Sequence, residues 1–543
     1  GCQSTAPTLR LPKPNKTQQN PTKPSQTNRN QTQVPHGVPE MPSTPHVALP
    51  PFPFDNTFVR ELPDFAIPWQ PDPVPDPKLV YLNHELAAEL DLPLAMLDEA
   101  TCAALFTGQQ LPAEAEPVAQ AYAGHQFGGF APVLGDGRAL LWGEVVDRYG
   151  NRRDLMFKGS GPTPFSRGGD GKGALGAMLK EALYGEALHA LGIPTTRALA
   201  VATTGEWVVR THRHPGAILT RVAASHLRVG TFAFFAARGE REKLERLTRY
   251  ALARHYPERV TDTAPPALAL LEAVAEQHAH LVAQWMAVGF IHGVMNTDNM
   301  TISGESIDFG PCAFLEPFDP QTVFSSIDRF GRYAYREQPR IAQWNLARLA
   351  EALLPLLDPD PNTAVTLANR VLERFPALYE AAWLAAMRRK LGLTPDGDAR
   401  TIAHDRALIS DWLDLLATHA ADFTAAFRAL ARYSAGDDAS LRALIPDSEL
   451  SRWLERWQHR VGLMPGQPSS TFADRLAQAN PWLIPRNEAV TAALSAAEAG
   501  DLAPFERLLG AIQDPFRENP AYADLARPSS PEFLAQFRTT CGT

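Results

Sequence analysis

Gly289-Phe-Ile-His-Gly-Val-Met-Asn-Thr-Asp-Asn-Met-Thr-Ile-Ser-Gly-Glu-Ser-Ile-Asp-Phe-Gly310 is the stretch of sequence that decides the fold. It carries two aspartates, Asp298 and Asp308, beside short apolar runs, and Asn299 lies between them. We predict a hairpin here, which would bring these three oxygen-bearing side chains together at one end. Hard divalent cations bind carboxylate and amide oxygens and often take phosphate oxygens as further ligands. The stretch therefore predicts a magnesium site that holds a nucleotide.

Two parts of this stretch have the spacing of protein-kinase motifs. Asp308-Phe-Gly310 matches the kinase metal-binding triplet, and the interval from His292 to Asn299 matches the catalytic loop H-R-D-x-x-x-x-N. Val294 stands where that loop has its catalytic aspartate, and valine cannot accept a proton. A carboxylate occurs instead at Asp298. The sequence thus predicts a kinase scaffold whose base has moved.

Length and composition narrow the class of protein. A chain of 543 residues exceeds one ordinary domain and suits a two-lobed catalytic unit with a helical extension. The net charge of −9 argues against general nucleic-acid binding, which needs a basic face. No apolar run reaches the ~18 residues of a membrane-spanning helix, so we expect no membrane span. The cysteines lack metal-ligand spacing, which favours a reducing compartment; they are Cys2, Cys102, Cys312 and Cys541.

We predict an α+β, protein-kinase-like fold of two lobes. Residues 1–50 are rich in Pro, Gln, Asn and Thr and are expected to be a disordered tail. Residues 51–225 would form an N-terminal region and a small lobe with an antiparallel sheet and a helix. Residues 226–340 would begin a mostly helical large lobe with the catalytic and metal-binding loops. Residues 341–543 would complete that lobe and add a helical C-terminal extension.

Short apolar runs predict the strands of the small lobe. Three are expected over 134–138, 139–146 and 154–157, separated by glycine-containing turns. Two more, over 198–203 and 207–209, would complete the sheet.

The predicted small lobe also offers phosphate-binding groups. Gly135 and Gly137 lie at the first turn, and Lys158 ends the third strand. In kinases, a glycine-rich hairpin and a strand lysine hold phosphates, and a helix glutamate holds the lysine. We therefore predict that Glu181, on the following helix, pairs with Lys158; a solvated Glu181 is the alternative.

Arg221 and Arg228 are seven residues apart, about two helical turns, and so could share a helix face. Two arginines near a metal site suggest phosphate recognition, with surface salt bridges as the alternative. Apolar periodicity predicts a helix over 267–288 that leads into the opening stretch. Further helices are predicted over 340–357, 363–392, 402–433, 447–460, 487–499 and 502–512.

Several longer motifs carry a family resemblance. They are Tyr122-Ala-Gly-His-Gln-Phe-Gly128, Leu134-Gly-Asp-Gly-Arg-Ala139, Lys158-Gly-Ser-Gly-Pro-Thr-Pro-Phe-Ser-Arg167, Leu191-Gly-Ile-Pro-Thr-Thr-Arg197 and His292-Gly-Val-Met-Asn-Thr-Asp-Asn-Met300. With these motifs the chain resembles the selenoprotein O family, also called YdiU, from about Phe54 to its last residues. The resemblance implies a kinase-like fold that binds ATP in a flipped orientation. It also implies transfer of AMP, or of UMP from UTP, to Ser, Thr or Tyr hydroxyls of protein substrates.

The resemblance also assigns residues. Asp298 would be the proton acceptor, and Asn299 and Asp308 would hold Mg²⁺ or Mn²⁺. A flipped nucleotide would explain Val294, because the attacking hydroxyl would arrive elsewhere than in a kinase. Asp308 would also contact the nucleotide, together with Gly135, Gly137, Arg138, Lys158, Asp170, Gly171, Arg221 and Arg228.

Two features are compared with the family pattern: one departs from it, and the other lies near the C-terminus. Gly176-Ala-Met178 replaces an expected polar entry to the small-lobe helix, which puts substrate contacts there in doubt. Cys541 occupies the place near the C-terminus where family members often have Sec or Cys. It is interpreted either as a redox-sensitive thiol or as a free cysteine.

Two other functions stay open on the residues alone. A phosphotransferase would share the metal residues but would need a base at position 294. A non-catalytic pseudokinase would bind nucleotide without turnover. We expect a monomer in the bacterial cytoplasm; a mitochondrial location stays open, as does a lipid tether at Gly1-Cys2.

Overall fold

The computed structural model describes residues 48–446, 448–464 and 466–540. The predictions for the tail 1–50, apart from its last three residues, and for Cys541 lie outside these residues. The described chain combines helices with an antiparallel sheet, so the α+β class is confirmed. Among the described residues, no helix is both long and apolar enough to cross a membrane.

The main sheet has the strand order β1-β3-β6-β7-β10-β9-β2, and β8 pairs with β10 at its side. Two further short ladders join β4 to β5 and β11 to β12. The strands are β1 (Ala66–Pro68), β2 (Lys78–Leu82), β3 (Val118–Gln120), β4 (Gly124–Gln126), β5 (Gly129–Ala131), β6 (Ala139–Val146), β7 (Arg152–Lys158), β8 (Gly173–Ala174), β9 (Arg197–Val209), β10 (Arg213–Ala223), β11 (Phe290–Ile291) and β12 (Ala313–Phe314).

In the described part of the chain, four α-helices lie before or between the strands of the main sheet, and helices dominate the second half. They are α1 (Thr57–Glu61), α2 (His84–Glu89), α3 (Glu99–Phe106), α4 (Leu175–Ala190), α5 (Val229–Ala236), α6 (Arg241–His255), α7 (Pro266–Val288), α8 (Gln338–Leu357), α9 (Pro361–Lys390), α10 (Ala399–Thr418), α11 (Phe423–Ser434), α12 (Ala439–Leu444), α13 (Ser448–Val461), α14 (Ser470–Ala479), α15 (Asn487–Glu498), α16 (Ala503–Ile512) and α17 (Pro531–Gln536).

Both faces of the main sheet are buried. Successive residues of a strand point to opposite faces, so neighbouring residues of β7 contribute to different cores. On one face Met156 belongs to the same buried apolar cluster as Met178 and Leu183 of α4. On the other, Phe157 packs with apolar residues of α2 and α3, and its ring stacks on Trp142 at 4.9 Å. Since α4 covers one face, a polar residue at the end of a strand on that face can meet a polar residue of α4.

The helix α7 delivers the chain to the opening stretch. It ends at Val288, and the next residue, Gly289, has a φ of 77°, the left-handed conformation that terminates many helices. The strands β11 and β12 then pair, with Phe290 opposite Phe314. Residues 292–312 thus form a long loop whose two ends are held together, next to the end of the main sheet.

The predicted hairpin within this loop is wrong. Thr301 bridges to Arg228 and Ser306 bridges to Thr195, so the two short runs pair with other segments and not with each other. Backbone donors there are satisfied by the neighbouring segments, for example Ile302 N–H by the carbonyl of Leu227. Long-range pairing has replaced the local pairing that the apolar pattern suggested.

Several predicted elements also change. Residues 134–138 are a loop and not a strand, because Gly135 has a φ of 66° and its N–H, like that of Leu134, donates to Tyr122 O. The runs 198–203 and 207–209 belong to the one strand β9, and β10 was not predicted.

The long helix predicted over 402–433 is two helices. Ala420 has a φ of 44°, which stops α10, and the Asp422 side chain then accepts the Ala425 N–H to begin α11. The shared helix face proposed for Arg221 and Arg228 is also wrong. Arg221 belongs to β10, and Arg228 directly precedes α5.

Candidate active site

A cavity of about 350 Å³ opens where the end of the main sheet faces the loop 292–312. Most of the predicted site residues line it. They are Gly137, Arg138, Lys158, Glu181, Arg221, Arg228, Asp298, Asn299 and Asp308. The charged residues of the lining and the volume suit a ligand of the size of a small cofactor.

Sheet register explains why Lys158 and Arg221 reach the same place. Arg221 lies opposite Met156 in the pairing of β7 with β10, and directly opposed residues share a face. Lys158 is two residues beyond Met156, and so it points to that same face. Both side chains therefore point toward α4 and the loop 292–312, which follows β11.

Asp308 is the centre of a buried cluster of three cations. Its Oδ1 accepts hydrogen bonds from Lys158 Nζ at 2.6 Å and from Arg221 Nη1 at 2.7 Å. Its Oδ2 accepts one from Arg228 Nη1 at 3.1 Å. Burial by itself would raise the pKa of Asp308, but these cations hold it well below its usual value. Asp308 is therefore a carboxylate at any physiological pH.

Glu181 links the lysine to the Asp-Phe-Gly segment. Its Oε1 accepts from Lys158 Nζ at 2.8 Å and from the backbone N–H of Phe309 at 3.0 Å. The predicted contact between Glu181 and Lys158 is thus present. Glu181 Oε2 is buried and accepts no hydrogen bond from the described part of the chain. One carboxylate therefore positions both the strand lysine and the backbone beside Asp308.

Arg228 connects the two aspartates of the loop. Its Nη1 donates to Asp308 and also, at 2.8 Å, to the carbonyl oxygen of Asp298. Its guanidinium lies 4.6 Å from the centre of the Tyr122 ring. Burial would lower the pKa of Arg228, but neighbouring Tyr122, Asp308, Asp136 and Asp298 raise it, so the group keeps its charge.

Asp298 differs chemically from Asp308. Its side chain is buried, its Oδ2 accepts only a long 3.4 Å bond from Gln126 Nε2, and its Oδ1 has no hydrogen-bond partner within the described ranges. Burial raises the pKa of Asp298 to about 6, against the opposing effect of Arg228. A carboxylate with a pKa near neutrality and an unpaired oxygen is suited to accept a proton.

The residues present fit a hard divalent cation. Asn299 Nδ2 donates to the carbonyl of Val294 at 3.0 Å, which leaves the amide oxygen as the atom it can offer a cation. Asp308 supplies an ionised carboxylate in the same cavity, and Asp298, whose buried Oδ1 has no hydrogen-bond partner within the described ranges, also lines it. Carboxylate and amide oxygens are the donors that Mg²⁺ and Mn²⁺ favour.

Gly135 and Gly137 shape the loop that precedes β6. A Cβ on Gly135 would lie 2.3 Å from Phe165 Cγ, and one on Gly137 would lie 3.0 Å from Phe165 O. Ser166 Oγ donates to Gly137 O at 2.5 Å, which ties the loop to the next glycine-rich segment. Gly137 lines the cavity, whereas Gly135 supports the loop from behind.

Asp170 and Gly171 are not brought into the cavity. Asp170 is paired with Arg210 at 2.8 and 3.0 Å on the protein surface. Gly171 has a φ of 66°, and a Cβ there would lie 2.1 Å from Gly161 O, so glycine is needed for packing. Their predicted contact with a nucleotide stays a prediction.

Sequence reasoning missed several residues of the cavity wall. Asp136 is buried, its Oδ2 accepts the Gln120 N–H at 2.8 Å, and burial raises the pKa of Asp136 to about 6. Asn296 Oδ1 accepts from Tyr333 Oη at 2.6 Å and from the Phe127 N–H at 3.1 Å. Asp136 and Phe127 lie inside two of the family motifs quoted above. Their membership of these motifs could have identified them as site residues.

Comparison with known proteins identifies the family of this chain. The family model described as "Protein adenylyltransferase SelO" matches residues 51–513. A protein of Cereibacter sphaeroides is 57% identical over 495 residues, which covers 91% of this chain and 100% of the relative. A protein of Chromobacterium violaceum is 53% identical over 485 residues, with 89% and 100% coverage. A protein of Rhizobium meliloti is 52% identical over 498 residues, with 91% and 99% coverage.

Each of these three relatives carries the name "Protein nucleotidyltransferase YdiU". The family match spans more than half of the chain and the relatives are matched over almost their whole length. The family resemblance drawn from the sequence motifs is therefore confirmed: the chain belongs to the SelO family.

Proposed function

We propose that this protein is a nucleotidyltransferase that moves AMP from ATP to Ser, Thr or Tyr hydroxyls of other proteins, with UTP as a second donor. The names of the family and of its relatives support this activity. One structural observation carries it: a single cavity holds Asp308 among three cations and Asp298 with its raised pKa. The first arrangement suits a polyphosphate, and the second suits the removal of a hydroxyl proton.

The proposal includes a protein-kinase-like fold. An antiparallel sheet whose strand lysine pairs with a helix glutamate, next to an Asp-Phe-Gly segment, supports it. The N-terminal region and small lobe would cover 51–225. The large lobe would begin at 226–340, and its remainder with the C-terminal extension would cover 341–543.

The cations that now surround Asp308 would bind the phosphates. Lys158, Arg221 and Arg228 are charged, buried and already converge on one anion, so little reordering would be needed. Gly135, Gly137, Arg138, Asp170 and Gly171 would contact the rest of the nucleotide. Asn299 and Asp308 would hold Mg²⁺ or Mn²⁺, which when bound neutralises charge on the phosphates and orients them.

The chemical step follows from the position of Asp298. Its unpaired Oδ1 would take the proton of the substrate hydroxyl, and the hydroxyl oxygen would form a bond to the α-phosphorus of ATP. The bond between the α-phosphorus and the bridging oxygen would break, and pyrophosphate would leave. Lys158 and the two arginines would stabilise the charge that develops on this leaving group.

An inverted nucleotide would explain the absence of a base at Val294. The Val294 side chain is buried and apolar, whereas Asp298 lies four residues further along the same loop with an unpaired oxygen. With the α-phosphorus instead of the γ-phosphorus near Asn299 and Asp308, the hydroxyl would approach Asp298 and not position 294.

The test is incubation of the purified chain and a mixture of candidate protein substrates with ATP and Mg²⁺ or Mn²⁺. The ATP is labelled at the α-phosphate in one sample and at the γ-phosphate in another. We expect label from the α position and a mass gain of one AMP, with self-modification as a readout that needs no substrate. A parallel sample with UTP measures the choice of nucleotide.

The other outcomes identify the alternatives. Label from the γ position alone would mean a phosphotransferase, and the assignment of Asp298 to nucleotidyl transfer would be wrong. A rise in melting temperature with ATP, without transfer of either label to any protein, would support a non-catalytic nucleotide-binding protein.

A further inference from the structure

A second group of potential metal ligands lies away from the candidate active site. His212, His214 and Glu498 each offer one ligand atom, and these atoms lie within 4.8 Å of one another. His214 is in β10, and Arg221 of the active-site cluster is seven residues further along that strand, about 23 Å at the usual rise of a strand. The two groups of residues are therefore separate.

We propose that His212, His214 and Glu498 bind a first-row transition-metal dication, zinc above all, at a site distinct from the proposed magnesium or manganese site. Imidazole nitrogens with one carboxylate are a donor set that Zn²⁺ uses, with water as the fourth ligand. The proposal does not depend on the transferase activity.

The local backbone explains why the two histidines act together. His212 ends the turn before β10 and His214 follows two residues later, so both side chains point to the same side. Their ring centres are 4.0 Å apart. Thr211 Oγ1 lies 3.1 Å from His212 Nδ1, which leaves His212 Nε2 for a metal.

Glu498 brings the third ligand from the last turn of α15. His214 Nδ1 lies 3.0 Å from both of its carboxylate oxygens. Zn–N and Zn–O bonds of about 2.0–2.2 Å in a tetrahedron separate two ligand atoms by about 3.3 Å. His214 and Glu498 already have nearly this spacing, and His212 is exposed, so rotation of its side chain can close the remaining gap.

Gly176 supports the position of Glu498. Its backbone N–H donates to Glu498 Oε1 at 3.1 Å, and a Cβ at this position would lie 2.6 Å from that oxygen. Gly176 is one of the residues at which the chain departs from the pattern expected for the start of α4. Glycine at this position thus leaves space for the Glu498 carboxylate. The backbone N–H of this glycine also orients that carboxylate by a hydrogen bond, as the outer hydrogen-bond partners of metal ligands commonly do.

A metal here would join three segments. These are the turn between β9 and β10, the first turn of α4, and the end of α15, which is 284 residues from His214. Helix α4 carries Glu181, so the metal would anchor the helix that positions Lys158. An ordinary hydrogen bond between His214 and Glu498 is the competing explanation.

The experiment uses the full chain without a polyhistidine tag, stripped of metal with a chelator and kept in excess Mg²⁺. Zn²⁺ is titrated by calorimetry into the wild type and into His212→Ala, His214→Ala and His404→Ala. His404 is an exposed histidine of α10 and serves as the matched control. We expect one Zn²⁺ per chain, bound roughly tenfold or more weakly in the first two variants and unchanged in the third.

Two further readouts separate a metal site from a hydrogen bond. Zn²⁺ should raise the melting temperature of the wild type but not of His212→Ala, and chelation should reverse the rise. Co²⁺ should give visible absorption bands of a low-coordinate site, lost in His212→Ala. Equal Zn²⁺ affinity in the wild type and both site variants, or no bound Zn²⁺ in the wild type, would overturn the proposal. Because His212 is exposed, its variant keeps the test valid if His214→Ala fails to fold.

Discussion

Lys158 Nζ donates to Asp308 Oδ1 at 2.6 Å, although 150 residues separate the two along the chain. The same lysine donates to Glu181, so it lies between two carboxylates. Arg221 and Arg228 also bind Asp308. The polyphosphate that we propose would therefore replace the Asp308 carboxylate as the partner of cations that are already in position.

Changing Asp308 to Ala should abolish metal-dependent transfer, because the proposed metal loses its carboxylate. It should also lower the free energy of unfolding by about 3–5 kcal/mol, since three buried cations lose their common partner. Transfer is measured with α-labelled ATP and stability by chemical denaturation. Asp474→Ala, at an exposed helix position, is the control. Retained transfer in Asp308→Ala would contradict the assignment.

Changing Asp298 to Asn should lower kcat by about 10²–10⁴ while ATP binding is kept, because a general base is lost but the phosphate-binding cations remain. The wild-type rate should rise as the pH passes about 6, where Asp298 loses its proton, and should then level off. The residual rate of the variant should not show this step. A pH profile of kcat/KM for both proteins tests the role, and an identical step in the variant would assign it to another group.

The same substitution should stabilise the protein at neutral pH. The pKa of Asp298 is raised from its ordinary 3.8 to about 6 by burial, so the folded protein binds more protons than the unfolded chain in this window. Stability from this group is therefore present at low pH and is lost as the pH rises through the folded pKa. Asp298→Asn should avoid this loss, so its free energy of unfolding at neutral pH should exceed that of the wild type by at most about 3 kcal/mol.

The measurement for this prediction is the melting temperature of both proteins between about pH 4 and pH 8. The variant should melt at the higher temperature at the upper end of this range, and the difference should shrink toward the lower end. A variant that is less stable at the upper end would show that burial does not penalise the charged carboxylate.

Two glycine substitutions can separate backbone strain from a side-chain clash. Gly135 and Gly192 both have positive φ, of 66° and 74°. Only at Gly135 would a Cβ meet a neighbour, Phe165, whereas the space around Gly192 is open. Both Ala variants should lose about 1–2 kcal/mol from strain, and Gly135→Ala should lose about 1–3 kcal/mol more. Equal losses in chemical denaturation would mean that Phe165 moves away freely.

The comparison of sequence with structure separates local from long-range information. The helix α7, the strand that ends in Lys158 and the contact of Lys158 with Glu181 were predictable, because apolar period and motif spacing carry them. The hairpin within the loop 292–312 was not, since its backbone groups pair with segments elsewhere in the chain.

The convergence of Arg221 and Arg228 shows the same limit. Their spacing suggested one helix, but one arginine is on β10 and the other precedes α5, and only Asp308 brings them together. His212 and Glu498 carried no signal at all, because no local pattern relates residues so far apart.

The sequence by itself determined the family, the α+β class and the residue types of the candidate site, because these depend on motifs and on local periodicity. Tertiary structure alone decided the electrostatics. Burial gives Asp298 a pKa near neutrality, while three converging cations hold Asp308 ionised. Two aspartates ten residues apart thus acquire different chemistry, because a pKa depends on neighbours in space and on exclusion of water, which the order of residues does not specify.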